Sequence, residues 1–246
     1  MPKIFLSPST QEFNPYIDGG NEEYYMNLIA DDMEPYLTAS GIEFDRNDPA
    51  GTVNNSVAQS NSGNYDLHLA IHSNASPASS AGKNRGTQVY YFPGSVSSTR
   101  AAEIFADNFR KIYPDPELVR TVPTASLAEI ARTKAPAILI EVAYHDNRDD
   151  AKWIRENIDR IAVNLTMSTA EFLGVRFRTP DQAEKGIVST ADSPLNLRKG
   201  PSLSSEIISR IPRGTRLVIG SRSGDWYLTM YNGLQGFVNK NYVKIL

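Results

Sequence analysis

Three short runs of uninterrupted apolar residues, each ending in polar or titratable side chains, constrain this chain more than any other feature. The clearest is Asp66-Leu67-His68-Leu69-Ala70-Ile71-His72-Ser73-Asn74-Ala75. Lys3-Ile4-Phe5-Leu6 runs in the same way into Ser7-Pro8-Ser9-Thr10-Gln11, and Ala137-Ile138-Leu139-Ile140 runs into Glu141-Val142-Ala143-Tyr144-His145. Continuous apolar strands are buried on both faces, as in parallel α/β sheets, whereas alternation marks a strand with one wet face. Functional groups in such sheets gather at the carboxyl ends of the strands. If the three strands are parallel neighbours, the loop at 8–12, His72 and Glu141 share one edge. A His and a Glu converging there suggest metal or acid/base chemistry.

The intervening segments read as helices, strands and loops of ordinary length. Asn21 is placed to cap a helix with Glu22 and Glu23 in its first turn. Met26, Ile29, Ala30, Met33 and Leu37 follow at helical spacing and Gly41 ends the run. Ile42-Glu43-Phe44 predicts a short strand, followed by a turn at 46–49; residues 50–65 are small and polar and predict nothing firm. Residues 73–86 are loop-like, and Thr87 to Phe92 predicts a strand stopped by Pro93-Gly94. Ala101, Ile104, Phe105, Phe109 and Ile112 predict a helix ending near Pro114; Leu127 to Arg132 predicts a helical turn. Ile158, Ile161, Ala162, Leu165, Thr169, Phe172 and Leu173 mark one face of a last helix that ends at Gly174. The reading is an α/β domain over 1–174, a mixed, mostly parallel sheet flanked by helices. A linker over 175–186 and a small all-β barrel over 187–246 follow, the latter with an Asn232-Gly233 hairpin signal.

Charge divides along the same boundary. Residues 1–174 hold 14 Lys and Arg against 23 Asp and Glu, a net of −9, while residues 187–246 hold 8 against 3, a net of +5. A basic small domain beside an acidic large one suggests a polyanionic partner, though no basic-aromatic ribbon or helix–turn–helix pattern points to nucleic acid. No apolar run is long enough for a membrane span. No signal-peptide pattern is visible, so export by lysis or a trimmed chain is expected. The chain has no cysteine, which excludes disulfides and thiolate metal sites.

The chemical candidates each have a plainer reading. His72 alone could be a hydrogen-bonded structural residue, and Glu141 could form a salt bridge at the sheet edge with Arg132 or Arg46. A carboxylate following four apolar residues is costly unless paired or metal-bound, and burial suits it to act as a general base. His68 cannot share an ion with His72, because four residues of strand span roughly 13 Å. Glu22 and Glu23 could simply complement the helix dipole. Ser7, Ser9 and Ser73 lack a Gly-x-Ser-x-Gly elbow, which argues against a serine hydrolase.

Together these segments resemble the zinc-dependent N-acetylmuramoyl-L-alanine amidases of the amidase-3 family over about residues 2–174. Asn21 to Leu28 resembles the family's glutamate-ligand helix, where the acid lies five residues before the Leu and so selects Glu23. Ala70 to Ala75 resembles its ligand-histidine strand, and Ala135 to Asn147 resembles the segment carrying the catalytic glutamate. The family's first strand ends in a turn whose His binds zinc; here Thr10 stands at that count, with Gln11 beside it. Residues 187–246 resemble a bacterial SH3-like domain through Leu195 to Ser202, Gly224 to Tyr227 and Gly236 to Val238.

The resemblance implies a peptidoglycan hydrolase, an autolysin or endolysin, that cleaves the amide between N-acetylmuramic acid and L-alanine. Glu141 would be the general base. Glu23 and His72 would hold zinc, with Gln11 or alternatively His145 as third ligand, and Asn74 and Arg46 would contact substrate. It implies an extracellular, wall-associated protein whose SH3-like domain meets wall peptides, glycans or anionic wall polymers. The alternative is an inert amidase relative acting as a wall-binding scaffold.

Overall fold

The computed structural model describes residues 1–246. The elements in chain order are β1 (Lys3–Pro8), α1 (Glu22–Ala39), β2 (Glu43–Arg46), α2 (Val53–Ser62), β3 (Leu67–Asn74), β4 (Thr87–Tyr91), α3 (Val96–Phe109), β5 (Val119–Pro123), α4 (Ala128–Ala131), β6 (Ala137–Tyr144), α5 (Arg148–Glu156) and α6 (Ile158–Leu173). The C-terminal part adds β7 (Glu184–Val188), β8 (Leu195–Arg198), β9 (Ile207–Ile211), β10 (Arg216–Ile219), β11 (Ser221–Ser223), β12 (Trp226–Tyr231), β13 (Leu234–Asn239) and β14 (Val243–Ile245).

Contacts divide the chain into two units, Lys3–Met33 with Asp45–Leu173, and Met1–Pro2 with Glu34–Phe44 and Gly174–Leu246. In the first, the sheet runs β2-β1-β3-β6-β4-β5. The three apolar strands are adjacent and parallel, β1 to β3 and β3 to β6, while β4 runs antiparallel to β6 and parallel to β5. This is the expected mixed, mostly parallel sheet. Ile4, Leu6, Leu67, Leu69, Ile71, Ile138 and Ile140 are buried because residues on both faces of these strands are covered. Two strands run further than the apolar runs suggest: His72 and Glu141 lie within β3 and β6, not at their ends.

Three elements had no apolar pattern to announce them. Helix α2 is held instead by a capping box in which Thr52 and Asn55 satisfy each other's backbone donors. Strand β5 is a short edge strand, and α5 is capped by Asn147, whose side chain accepts from the Asp149 and Asp150 amides.

Asp150, on α5 and 1% exposed, ties the β4 and β6 region together. It accepts from the Gly86 amide (3.0 Å), the Tyr144 amide (3.1 Å), the Tyr113 hydroxyl (2.6 Å) and Arg85 Nε (3.3 Å). Gly86 must stay glycine here: its φ is +111° and a Cβ would stand 2.5 Å from the Leu118 carbonyl.

The second unit contains a three-stranded sheet, β10-β7-β14, and a five-stranded sheet, β11-β12-β13-β8-β9, rather than one closed barrel. Its core holds Val188, Leu195, Leu197, Ile211, Leu217, Ile219, Val238 and Val243. Strand β7 begins at Glu184, inside the stretch read as linker. The unit also takes in Glu34–Phe44, where Gln235 donates to Thr38 Oγ1 (2.9 Å) and the Ile42 carbonyl (3.0 Å) and accepts from the Phe44 amide (3.0 Å).

Asp150→Ala strands two backbone amides and a hydroxyl and leaves Arg85 with Asp115 alone. It is expected to lower unfolding free energy by roughly 3–5 kcal/mol in urea titrations; a loss within 1 kcal/mol, roughly the effect of an ordinary surface change, would show that the carboxylate is not an anchor.

Candidate active site

The site is built around His72. In the sheet register His72 on β3 is the partner of Glu141 on β6, so the two side chains rise side by side from one face. His72 Nδ1 lies 2.8 Å from Glu22 Oε1, and Nε2 lies 3.1 Å from Glu129 Oε2. Ionised carboxylates only accept, so both ring nitrogens act as donors. Burial disfavours the charged ring, but Glu129 and Glu22 outweigh it and hold the His72 pKa well above the usual range. Burial works against both acids, but His72 holds Glu22, and His68 together with His72 holds Glu129, below the usual carboxylate range.

Glu22 faces His72 because of helix phase. It lies four residues before Met26, seven before Ile29 and eleven before Met33, in line with the buried stripe of α1. Successive helical residues point about 100° apart, so Glu23 turns away and accepts from Asn27 one turn on (3.2 Å). The expectation of Glu23 against His72 is therefore corrected to Glu22. The apolar stripe already carried that information.

Glu129 was not foreseen at all. A four-residue helix has no amphipathic face to read, and an acid in a helical turn is ordinarily solvated. Here it is 3% exposed. Its Oε1 accepts from the Ser7 hydroxyl and lies 3.1 Å from His68 Nε2, while His68 Nδ1 meets Ser60 Oγ at 2.9 Å. His68 and His72 cannot share an ion, yet they share this carboxylate.

The loop after β1 brings Gln11 to the site. The Ser9 amide donates to the Ile71 carbonyl (2.9 Å), and Ser9 Oγ accepts from the Gln11 amide (3.2 Å). Gln11 Nε2 then stands 3.3 Å from His72 Nδ1. Asn14 Nδ2 donates to both Gln11 Oε1 (3.1 Å) and Glu22 Oε2 (2.7 Å). His145 goes elsewhere: its Nδ1 donates to the Ser73 carbonyl (2.9 Å) and its ring stacks on Tyr16. Arg46 pairs with Asp31 and donates to Asn27, bracing α1 rather than facing a cleft. Asn74 donates to Gln88 Oε1 (3.1 Å) and accepts from the Ala75 amide (2.8 Å), beside the β4 strand.

Above these groups opens a cleft of about 540 Å³ lined by Thr10, Gln11, Phe13, His72, Leu127 and Glu141 among others. Glu141 Oε2 is buried there without a hydrogen-bond partner. Burial pushes its pKa up to about 7; the His72 charge lowers it in part, and Glu22 and Glu129 raise it further.

The donor set bears on a metal. No three His, Asp, Glu or Cys side chains form a complete ligand group. His72 Nδ1 and Glu22 are two donors of the ordinary zinc kind, and Gln11 supplies an amide as the third. Two further features fit a bound cation. The His72 nitrogen turned away from Glu22 is held by a second carboxylate, as metal-ligating imidazoles are, and Glu141 presents an unpartnered buried oxygen.

Comparison with known proteins bears on this geometry. Residues 12–170, well over half of the chain, match the family described as N-acetylmuramoyl-L-alanine amidase. The chain belongs to that family. Residues 193–244 match the bacterial SH3 domain. The N-acetylmuramoyl-L-alanine amidase LytC of Bacillus subtilis is 29% identical over 162 residues, covering 63% of this chain and 32% of that protein. The chain spans about a third or less of the length of the curated relatives it matches. Among solved structures, the catalytic domain of the amidase CwlV from Bacillus (Paenibacillus) polymyxa var. colistinus aligns with a TM-score of 0.61 at 20% identity, covering 72% of this chain and all of that one. The amidase Ami1 of Mycobacterium smegmatis aligns with a TM-score of 0.61 at 19% identity, covering 70% and 97%. These alignments show the fold that this member of the amidase family shares with them.

Glu141 also has a measurable cost. Its folded pKa of about 7 exceeds the ordinary 4.5, so the unfolded chain loses the proton first as pH rises. Stability therefore falls between those two values and stays depressed above about 7. In chelator-treated protein, Glu141→Gln is expected to melt higher than the native chain, with a gain that grows from pH 4.5 to pH 7 and then levels. A gain that does not vary with pH would contradict a carboxylate whose pKa rises on folding.

Proposed function

We propose that the chain is a peptidoglycan hydrolase that cleaves the amide between N-acetylmuramic acid and L-alanine. The observation that carries this reading is Glu141, half-buried beside His72 in an open cleft, with one carboxylate oxygen buried and unpartnered and its pKa near neutrality. A base with a pKa near the working pH both takes a proton from water and gives it up again. Glu141 removes the proton from a water whose oxygen bonds to the scissile carbonyl carbon. As the carbon–nitrogen bond breaks, it delivers that proton to the departing alanine nitrogen. Family membership supports zinc as the cofactor, with Glu22, His72 and the Gln11 amide oxygen as the groups that would hold it. When bound, zinc supplies Lewis acidity toward the carbonyl oxygen and the water. Glu129 and Asn14 fix the orientations of His72 and Glu22, so little reorganisation accompanies the reaction. The Glu141, His72 and Glu22 arrangement does not favour an inert relative.

The C-terminal SH3 domain supports a wall-attached enzyme acting outside the cell. In its unit Leu203, Trp226 and Tyr242 line a second cleft, of about 520 Å³, and its +5 charge suits anionic wall polymers. No helix is long and apolar enough to cross a membrane.

Digestion of purified walls tests the bond cleaved. New amino ends on L-alanine are expected, without new reducing sugars, and Glu141→Gln should slow their release by roughly 100-fold or more. Reducing sugars would mean a glycosidase, and a Glu141→Gln rate within about tenfold of native would remove Glu141 from the role of base.

Sedimentation of the full-length Glu141→Gln chain with intact walls tests the attachment. Binding is expected to weaken steadily as salt rises, because exposed charges are screened. Salt-independent binding would assign attachment to the aromatic cleft.

A further inference from the structure

The sheet register extends the active-site row beyond the catalytic pair. His72 on β3 partners Glu141 on β6, Glu141 partners Gln88 on β4, and Gln88 partners Arg120 on β5. Side chains of directly opposed residues share a face, so His72, Glu141, Gln88 and Arg120 stand in one line across four strands. With strands spaced about 4.8 Å apart, the Arg120 backbone is roughly 10 Å from that of Glu141.

Arg120 also opens onto a pocket of its own. A concavity of about 480 Å³ is lined by Lys83, Arg85, Gln88, Arg120 and Tyr144 among others, with no carboxylate in its lining. Arg85 is engaged by Asp150 and Asp115. Neither Lys83 nor Arg120 carries an ion pair. This matters because the surrounding domain is strongly acidic, 23 acids against 14 bases over residues 1–174. Two cations without an ion-pair partner, Lys83 and Arg120, beside an Arg85 already held by Asp150 and Asp115, make a local anion site in such a domain. Gln88 joins it to the catalytic region: its Oε1 accepts from Asn74 and from the Tyr90 hydroxyl, while its Cα partner is Glu141.

We propose that Arg120, with Lys83 and Arg85, forms a subsite for a carboxylate on the peptide side of the substrate, about two residues beyond the scissile amide. The inference rests on the amidase reading and names which part of the substrate that site recognises. An extended peptide advances about 3.3–3.6 Å per residue, so a carboxylate branching from the second residue lies about 7 Å from the reacting carbon. The Glu141 and Arg120 backbones stand roughly 10 Å apart, and the long Arg120 side chain can cover the remainder. The planar guanidinium of Arg120 can grip a carboxylate through two parallel hydrogen bonds, and Lys83 adds a point charge. An amidated second residue offers no negative charge and binds less well.

The test uses two muramoyl peptides that differ only at the second residue, whose α-carboxylate is free in one and amidated in the other. The native full-length enzyme is expected to favour the free acid by about tenfold or more in kcat/KM, chiefly through KM. Arg120→Gln should bring that ratio to within about twofold of unity, and Arg120→Lys should restore part of it. Arg120 is exposed, so its replacement is not expected to disturb the fold. An unchanged ratio in Arg120→Gln, or a native enzyme indifferent to the two peptides, overturns the subsite. If the native chain hydrolyses neither peptide, the amidase reading fails, and calorimetric titration with the same two peptides decides the subsite. Tighter binding of the acid that is lost in Arg120→Gln sustains it; equal binding of acid and amide overturns it.

Discussion

One buried imidazole organises the larger unit. His72 is gripped at both nitrogens by carboxylates from different helices, Glu22 at the start of α1 and Glu129 on α4. Removing three such groups from water is expensive, and the arrangement holds only because each charge meets an opposite one at hydrogen-bond distance. The consequence is rigidity. Glu129 is fixed further by Ser7 and His68, and Glu22 by Asn14, so a continuous set of bonds runs from β1 through β3 to both helices. The groups meant to act on a substrate are positioned by elements that cannot move independently.

Glu141 is the exception within this set. Its register partner His72 has both nitrogens already engaged, and no other donor reaches Glu141 Oε2. The oxygen is left without a bond while burial holds its proton affinity high. Buried polar oxygens usually find a partner, so an unsatisfied one lining a cleft beside His72 is a candidate for proton exchange. The fold tolerates that cost beside His72, where the proposed reaction needs a group that exchanges a proton.

How much of this was legible depended on whether the chain wrote it as pattern. The apolar runs marked β1, β3 and β6 as buried strands, and the register supplies the condition they left open, that the three are parallel neighbours with His72 beside Glu141. Helical phase could have chosen Glu22 over Glu23, since Glu22 continues the stripe of Met26, Ile29 and Met33. Glu129 had no such signal, because its burial comes from α4 docking over β6 and not from local sequence. Helix α2 rests on a capping box and β5 on edge pairing, so neither has an apolar period, and Arg120 stayed invisible with β5. Arg46 and His145 looked chemical but face Asn27 and Ser73, far more ordinary tasks.

The first-strand departure from the family pattern remains the sharpest chemical question. With Thr10 where the resemblance places the family's His, a metal in this cleft would meet one imidazole, from His72, an oxygen from Glu22 and, once the Gln11 amide turns its oxygen rather than Nε2 toward His72, one from Gln11. X-ray absorption at the zinc edge of the zinc-loaded, full-length protein tests this arrangement most directly. The account predicts a single imidazole among light oxygen donors, with that imidazole lost in His72→Ala. Two imidazoles in the coordination sphere, or failure of the native chain to retain zinc, would contradict it.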